Sequence, residues 1–369
     1  MAQNAASSGG ACAPRASSLN IGETLNRSPE SCINMPQSKR LCASPKRARG
    51  LPMKNLVWLF IPALLSVIAI AAEPPQQAAV DYPAWAYPKA DATPPAGAEA
   101  SGPVKVPGSA KSYTQKEIDD LANPPDWFPD EHGTAPQIVR SGASDKGFAC
   151  GSCHLFAGYG HPESANLVGL SADFIVEQMA DFKSGDRIDP ARMNAISQAT
   201  SDDDAKAAAD YFSSLKPTVW VKVMEADMVP KSWVNAARMR LPLPGGGMEP
   251  LGNRIIELPQ DPALATARDP KSGFIAYVPP GSVAKGEMLA STGGGKTISC
   301  TVCHGDGLKG FGNIPELAGQ HPIYIARQLY NFKAGTSKSA AAQQMQNVVA
   351  NLTPDDILAL AAYAASQAP

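Results

Sequence analysis

Two five-residue frames in this chain carry its chemistry. Cys150-Gly151-Ser152-Cys153-His154 and Cys300-Thr301-Val302-Cys303-His304 both read C-x-x-C-H. Two thiols three residues apart on a helical turn reach the two vinyl groups of one porphyrin and form thioethers, which is the attachment chemistry of c-type haem. The adjacent histidine then presents its imidazole to the iron from the proximal side. The spacing therefore predicts two covalently bound haem c groups, with Cys150, Cys153, Cys300 and Cys303 as thioether partners and His154 and His304 as iron ligands. Three other readings of these cysteines compete. A redox dithiol belongs to a βαβ setting, which surrounds neither frame. A zinc ribbon brings its two pairs within about 20 residues, whereas these lie 150 apart. Two ordinary disulfides suit an exported chain but leave the recurring histidine unexplained.

The offset of 150 extends beyond the frames. Asn166-Leu167-Val168-Gly169 meets Glu316-Leu317-Ala318-Gly319, and Phe174-Ile175, Gln178 and Asp181-Phe182-Lys183 meet Tyr324-Ile325, Gln328 and Asn331-Phe332-Lys333. Gly185 meets Gly335, and after a two-residue shift Asp203–Tyr211 meets Asp355–Tyr363. The chain thus holds two copies of one module. In each copy the apolar positions at i, i+1, i+4, i+5 and i+8 from Phe174 and from Tyr324 predict a helix with one apolar stripe. Gly185 and Gly335 are its stop signals. A last helix follows over 202–215 and over 354–367, the second behind the cap candidate Thr353 with Pro at its first position.

A haem ligated by one histidine is open to substrates or gases, whereas one ligated on both faces passes electrons. The distal ligand is therefore the deciding residue. Met193 and Met345 are the only methionines that recur, each eight residues ahead of the cap of the last helix, and they are the predicted distal ligands. The plainer reading of a methionine is core filler. Met179, whose counterpart is Leu329, takes that reading, and Met248 and Met288 have no partner in the first copy. His161 aligns with Phe311, His321 aligns with Ser171, and His132 precedes the first frame, so all three are expected at the surface or in packing.

Residues 1–55 carry eight Lys/Arg against two Glu, a net +6 in a chain whose total is −2, so the remainder is −8. Seventeen uncharged residues, 56–72, follow, with Ala69-Ile70-Ala71 near their end. A basic stretch, an apolar stretch and a small-residue exit are the parts of a secretory signal, expected at 53–72 after a dispensable extension over 1–52. The rival reading is an uncleaved anchor, for which seventeen residues containing Pro62 are short against the ~20 a span needs. The remaining map is a Pro/Ala-rich arm over 73–133, a first module over 134–216, a Pro-rich inter-domain segment over 217–280 and a second module over 281–369. Trp220, Trp233, Ile255, Ile256, Phe274 and Tyr277 give that segment more apolar content than a solvated tether needs, so it is expected to lie extended along the modules. Tyr82, Trp85, Tyr87, Trp127 and Phe128 point to partial docking of the arm, with a partner as one candidate surface.

With these frames, turns and methionines in place, the chain resembles class I cytochromes c in tandem and is similar in plan to the di-haem cytochromes c4. The resemblance covers 142–216 and 281–367. It implies an all-α fold: two tandem class I cytochrome c domains joined by a long irregular Pro-rich segment, first and last helices crossing in each. Three departures stand out. Leu155 occupies the place of Gly305, Thr336 the place of Asp186, and about 65 residues separate modules that cytochrome c4 joins almost directly.

The expected function is a periplasmic electron carrier and not an enzyme, taking electrons from a dehydrogenase or quinol-oxidising donor and passing them to an oxidase or another cytochrome. The alternatives are a haem enzyme with one open distal site, such as a di-haem peroxidase or a sulfur-compound oxidase, and a cytochrome subunit dedicated to one dehydrogenase. No basic stripe marks a nucleic-acid partner. Membrane attachment is expected only if the signal stays uncut. The −8 balance favours a basic redox partner or serves solubility.

Overall fold

The computed structural model describes residues 81–91, 93, 102–143, 147–189 and 191–369. The expected extension, the signal at 53–72 and Cys12, Cys32 and Cys42 lie outside these residues. Among the described residues no helix is long and apolar enough to cross a membrane.

Both helical modules form as the periodicity predicts. The arm contributes α1 (Gln115–Ile118). The first module holds α2 (Gln137–Ser141), α3 (Gly151–His154), α4 (Ala172–Ser184), α5 (Met193–Ala199) and α6 (Asp202–Ser213). Ser171 caps α4 through Phe174 N, and Gly185 ends it in the left-handed conformation. Ile175 and Phe182 bury the predicted stripe, and α4 packs on α6. The segment between the modules carries α7 (Pro262–Thr266). The second module holds α8 (Ser282–Thr292), α9 (Thr301–His304), α10 (Pro322–Lys333), α11 (Ala340–Val349) and α12 (Pro354–Ser366). Here α12 crosses α8 and lies against α10. At the α8–α12 crossing a Cβ on Gly286 would collide with the carbonyl of Ala359, so only glycine allows this approach. Two short helices were not predicted: α5 starts at Met193, and α11, capped by Ser339, contains Met345.

The inter-domain segment departs from the expected irregular form. It contains β1 (Val221–Glu225), β2 (Met228–Pro230), β3 (Ser232–Val234), β4 (Arg240–Pro242), β5 (Met248–Pro250), β6 (Ile256–Pro259) and β7 (Phe274–Val278). β1 runs parallel to β7, β6 pairs antiparallel on its other side, and β2–β5 and β3–β4 form antiparallel ribbons. The chain is extended there, as expected, but it pairs with itself. Burial explains the pairing: Phe274, Ala276 and Val278 alternate inward along β7, and their backbone polar groups need partners away from water. Phe274 and Ala276 pack with Tyr159 and Val168 of the first module, and Val278 packs with the core of the second. The sheet is a shared wall between the modules.

The arm docks on its own chain. Tyr87 OH donates to the carbonyl of Arg327 at 3.2 Å, and Trp85 and Ala86 are buried against α10. Further along, Trp127 Nε1 donates to Ala267 O at 2.8 Å and Lys271 sits 3.6 Å over the Phe128 ring. The modules also touch directly. Asn166 N donates to Gln320 Oε1 at 3.0 Å while Gln320 Nε2 donates to Asn166 O at 2.9 Å. His321, expected at the surface or in packing, proves wholly buried: its Nδ1 lies 2.6 Å from Glu257 Oε2 of β6, and Glu257 also accepts from Ile323 N at 2.8 Å. His132 stacks on Phe156, and His161 contacts Ser164, so both are packing residues.

Candidate functional site

Each frame folds as one helical turn. Cys150 and Cys300 are the N-terminal flanking residues of α3 and α9, Cys153 and Cys303 stand one turn on, and His154 and His304 end the helices. The two cysteines of each frame therefore lie on one side of a single turn, with the histidine projecting into the module. The residue after the histidine reverses the chain at positive φ: 73° at Gly305, where no side chain objects, and 51° at Leu155, which bears the steric cost that glycine avoids.

The histidines repeat in detail. His154 Nδ1 donates to Ala165 O at 2.9 Å and His304 Nδ1 donates to Pro315 O at 2.9 Å. A carbonyl oxygen only accepts, so Nδ1 carries the hydrogen in both rings and Nε2 is left with its lone pair. Burial pushes both imidazoles below their ordinary pKa and keeps them neutral. A neutral ring held by its far nitrogen on a backbone carbonyl is the arrangement of a metal-ligating histidine. The carbonyl acceptors, at 165 and 315, keep the 150-residue offset and precede the repeated Leu-x-Gly turn, a signal the sequence carried but the motif alone did not reveal.

Among the described residues no disulfide joins either pair. Before attachment, burial pushes the Cys150 thiol up to about 12 and raises that of Cys300. Among the described residues no group of three or more His, Cys, Asp and Glu is placed to hold a metal ion between them.

In the second module these residues line a cavity. It is an open, apolar-walled space bounded by Cys300, Cys303, His304 and Met345 together with Leu308, Leu317, Ile325, Leu352 and Leu360. Two thiols, one neutral imidazole and one thioether in an otherwise apolar cleft fit a covalently attached haem and little else. In the first module Cys150 packs at the edge of a core built from Phe156, Leu170, Ile175, Tyr211 and Phe212, and His154 meets the Phe212 ring edge-on at 6.3 Å. Met193 is half-buried at the start of α5, its N–H bonded to Asp189 Oδ2 at 2.8 Å. The structure brings Met345 onto the cavity of His304; it does not show Met193 and His154 on one.

A family model described as "Cytochrome c" matches residues 283–368. The cytochrome c4 of Pseudomonas aeruginosa is 29% identical over 227 residues, covering 59% of this chain and 83% of that protein. Cytochrome c-554(548) of Halomonas halodenitrificans is 33% identical over 79 residues, covering 21% of this chain and 95% of that protein. A protein of Thiomonas intermedia named thiosulfate dehydrogenase electron acceptor is 26% identical over 222 residues, covering 59% of this chain and 78% of its own length.

Proposed function

We propose that this chain, which belongs to the cytochrome c family, carries single electrons between protein partners through two covalently attached haem c groups. The observation that carries the reading is the matched pair of histidines, His154 on Ala165 and His304 on Pro315, each one residue past a C-x-x-C turn. When bound, haem iron supplies a one-electron couple whose potential depends on its axial ligands and surroundings. The chain's own residues do the rest. Cys150, Cys153, Cys300 and Cys303 anchor the porphyrins, His154 and His304 hold the irons from the proximal side, and Met193 and Met345 close the distal side. Met345 has the stronger support, since it shares the cavity of His304. Met193 rests on its corresponding place ahead of the last helix.

The carrier reading extends to setting. The basic and apolar character of residues 1–72 supports export, with function in the periplasm. A dehydrogenase as donor and an oxidase or second cytochrome as acceptor suit a relative named as the electron acceptor of thiosulfate dehydrogenase. The second reading is a haem enzyme with an open distal face at one module. Both readings meet in one experiment. Haem is counted per chain after acid-acetone extraction, and carbon monoxide is then added to the reduced protein. Two non-extractable haems that bind no carbon monoxide support the carrier. One haem that binds it promptly favours the enzyme, and a colourless or fully extractable product overturns both.

A further inference from the structure

The two attachment helices are alike in sequence and unlike in surroundings. In α9 Val302 is 74% exposed and Cys303 lies open, whereas its counterpart in α3, Ser152, is 1% exposed. Part of what covers α3 comes from outside the module. The N–H of Ala149 bonds to Leu121 O of the arm at 2.9 Å, and the inserted segment sends in Arg268. Its Nη1 donates to the carbonyl of Ser152, next to Cys153, and its Nε donates to Ile118 O at 2.9 Å. Arg268 holds a φ of 59° to do this, a left-handed conformation that costs a non-glycine residue roughly 1–2 kcal/mol.

Both acceptors of Arg268 are neutral carbonyls, and among the described residues it makes no salt bridge, so its charge is not cancelled by contact. Arginine keeps its proton at any pH the fold survives. A half-buried cation beside a redox centre is weakly screened and favours the form carrying one more electron. Among the described residues no cation bonds the matching carbonyl, that of Val302.

We propose that Arg268, supplied by the inserted segment and not by either module, sets the reduction potential of the first haem above the value its own module would give. An electron shared between two otherwise similar modules is thereby biased toward the first. This inference rests on the two-haem carrier reading above.

The test is a spectroelectrochemical titration of the full haem-loaded protein. A count of two attached haems comes first, since a failed count overturns the carrier reading and not this one. Met345→Ala, which moves the potential of the second module, identifies which midpoint belongs to which. In Arg268→Gln the first midpoint is expected to fall by about tenfold in the reduced-to-oxidised ratio at fixed poise, about 59 mV for a one-electron couple, with the second unchanged. Arg268→Lys, which keeps the charge, is expected to stay near the native value. Unchanged midpoints in Arg268→Gln, equal movement of both, or an equal fall in Arg268→Lys overturns the proposal. Should Arg268→Gln fail to retain haem, Asp119→Asn serves instead. Asp119 is exposed at the end of α1 and its carboxylate lies in the field of Arg268. Removing it is expected to raise the first midpoint alone, and no shift there counts against the proposal.

Discussion

Arg187 and Ser337 hold corresponding places in the two repeats, and they pair with each other in an isolated β-bridge. Contact between equivalent residues is what a two-fold axis produces. The neighbouring bonds agree: Arg187 Nη1 donates to Gln178 Oε1 at 2.5 Å and its Nη2 to Gln328 Oε1 at 2.8 Å, and these glutamines are equivalents too. The repeat in the sequence is therefore also an approximate symmetry of the fold. It is broken at the axis itself, where one copy supplies an arginine and the other a serine.

Arg187→Ala removes a residue that bonds α4 and α10 at once. Hydrogen bonds from a charged donor are worth about 1.5–3 kcal/mol, so stability is expected to fall by about 2 kcal/mol. Denaturant unfolding measures the loss, and the haem spectra are expected to stay native because no frame residue is touched.

Gly286→Ala would normally help a helix by ~1 kcal/mol. At the α8–α12 crossing the added methyl meets Ala359 O and Tyr363, and overpacking of this kind costs about 1–3 kcal/mol. A lower melting temperature for this variant is the expected result. A raised one would show that the two helices part easily.

Asp356 is wholly buried at the start of α12, bonded to Thr353 and ion-paired with Lys285 at 3.0 Å and Lys296 at 2.5 Å. Burial raises its pKa, but the bonds from Lys296, Thr353 and Lys285 outweigh that and hold the carboxyl far below the usual range. Because the folded value lies below the unfolded one of about 3.9, its contribution is complete above that value and is lost as pH falls toward the folded pKa. Asp356→Ala is expected to cost about 2 kcal/mol near neutrality. Its stability should also fall less steeply than the native protein's below pH ~4, as acid titration of unfolding would register.

Met345→Ala empties the distal wall of the second cavity without touching its attachment residues. The oxidised protein is expected to lose half of the near-infrared band that a methionine–ferric iron pair gives, and the reduced protein to bind carbon monoxide at one haem of two. A full band in the variant would remove Met345 from the ligand set. Met193→Ala, measured alongside, asks the same of the first module.

Much of the site could be read directly from the chain. The frames name six residues because thioether and imidazole chemistry demand a fixed spacing on one helical turn. The offset of 150 then transfers each assignment from copy to copy. Helices α4, α10 and α12 followed from local periodicity and caps, which act within a few residues. The helices holding Met193 and Met345 escaped because α5 has only seven residues and α11, rich in Ala and Gln, has too few large apolar positions to set a period. His321 gave no local sign of its role, since its partner Glu257 lies on a strand 64 residues earlier.

What the sequence determined alone is the pair of C-x-x-C-H frames, their histidines and the twofold repeat, because each is written in residue types at fixed short spacings. Tertiary structure decided the rest. β1 finds β7 more than fifty residues on, the arm folds back onto α10 and the inserted segment, and Arg268 reaches α3 across 116 positions. Such pairings are selected by burial and by the need to satisfy backbone groups far apart in the chain, and no local pattern of residue types encodes them.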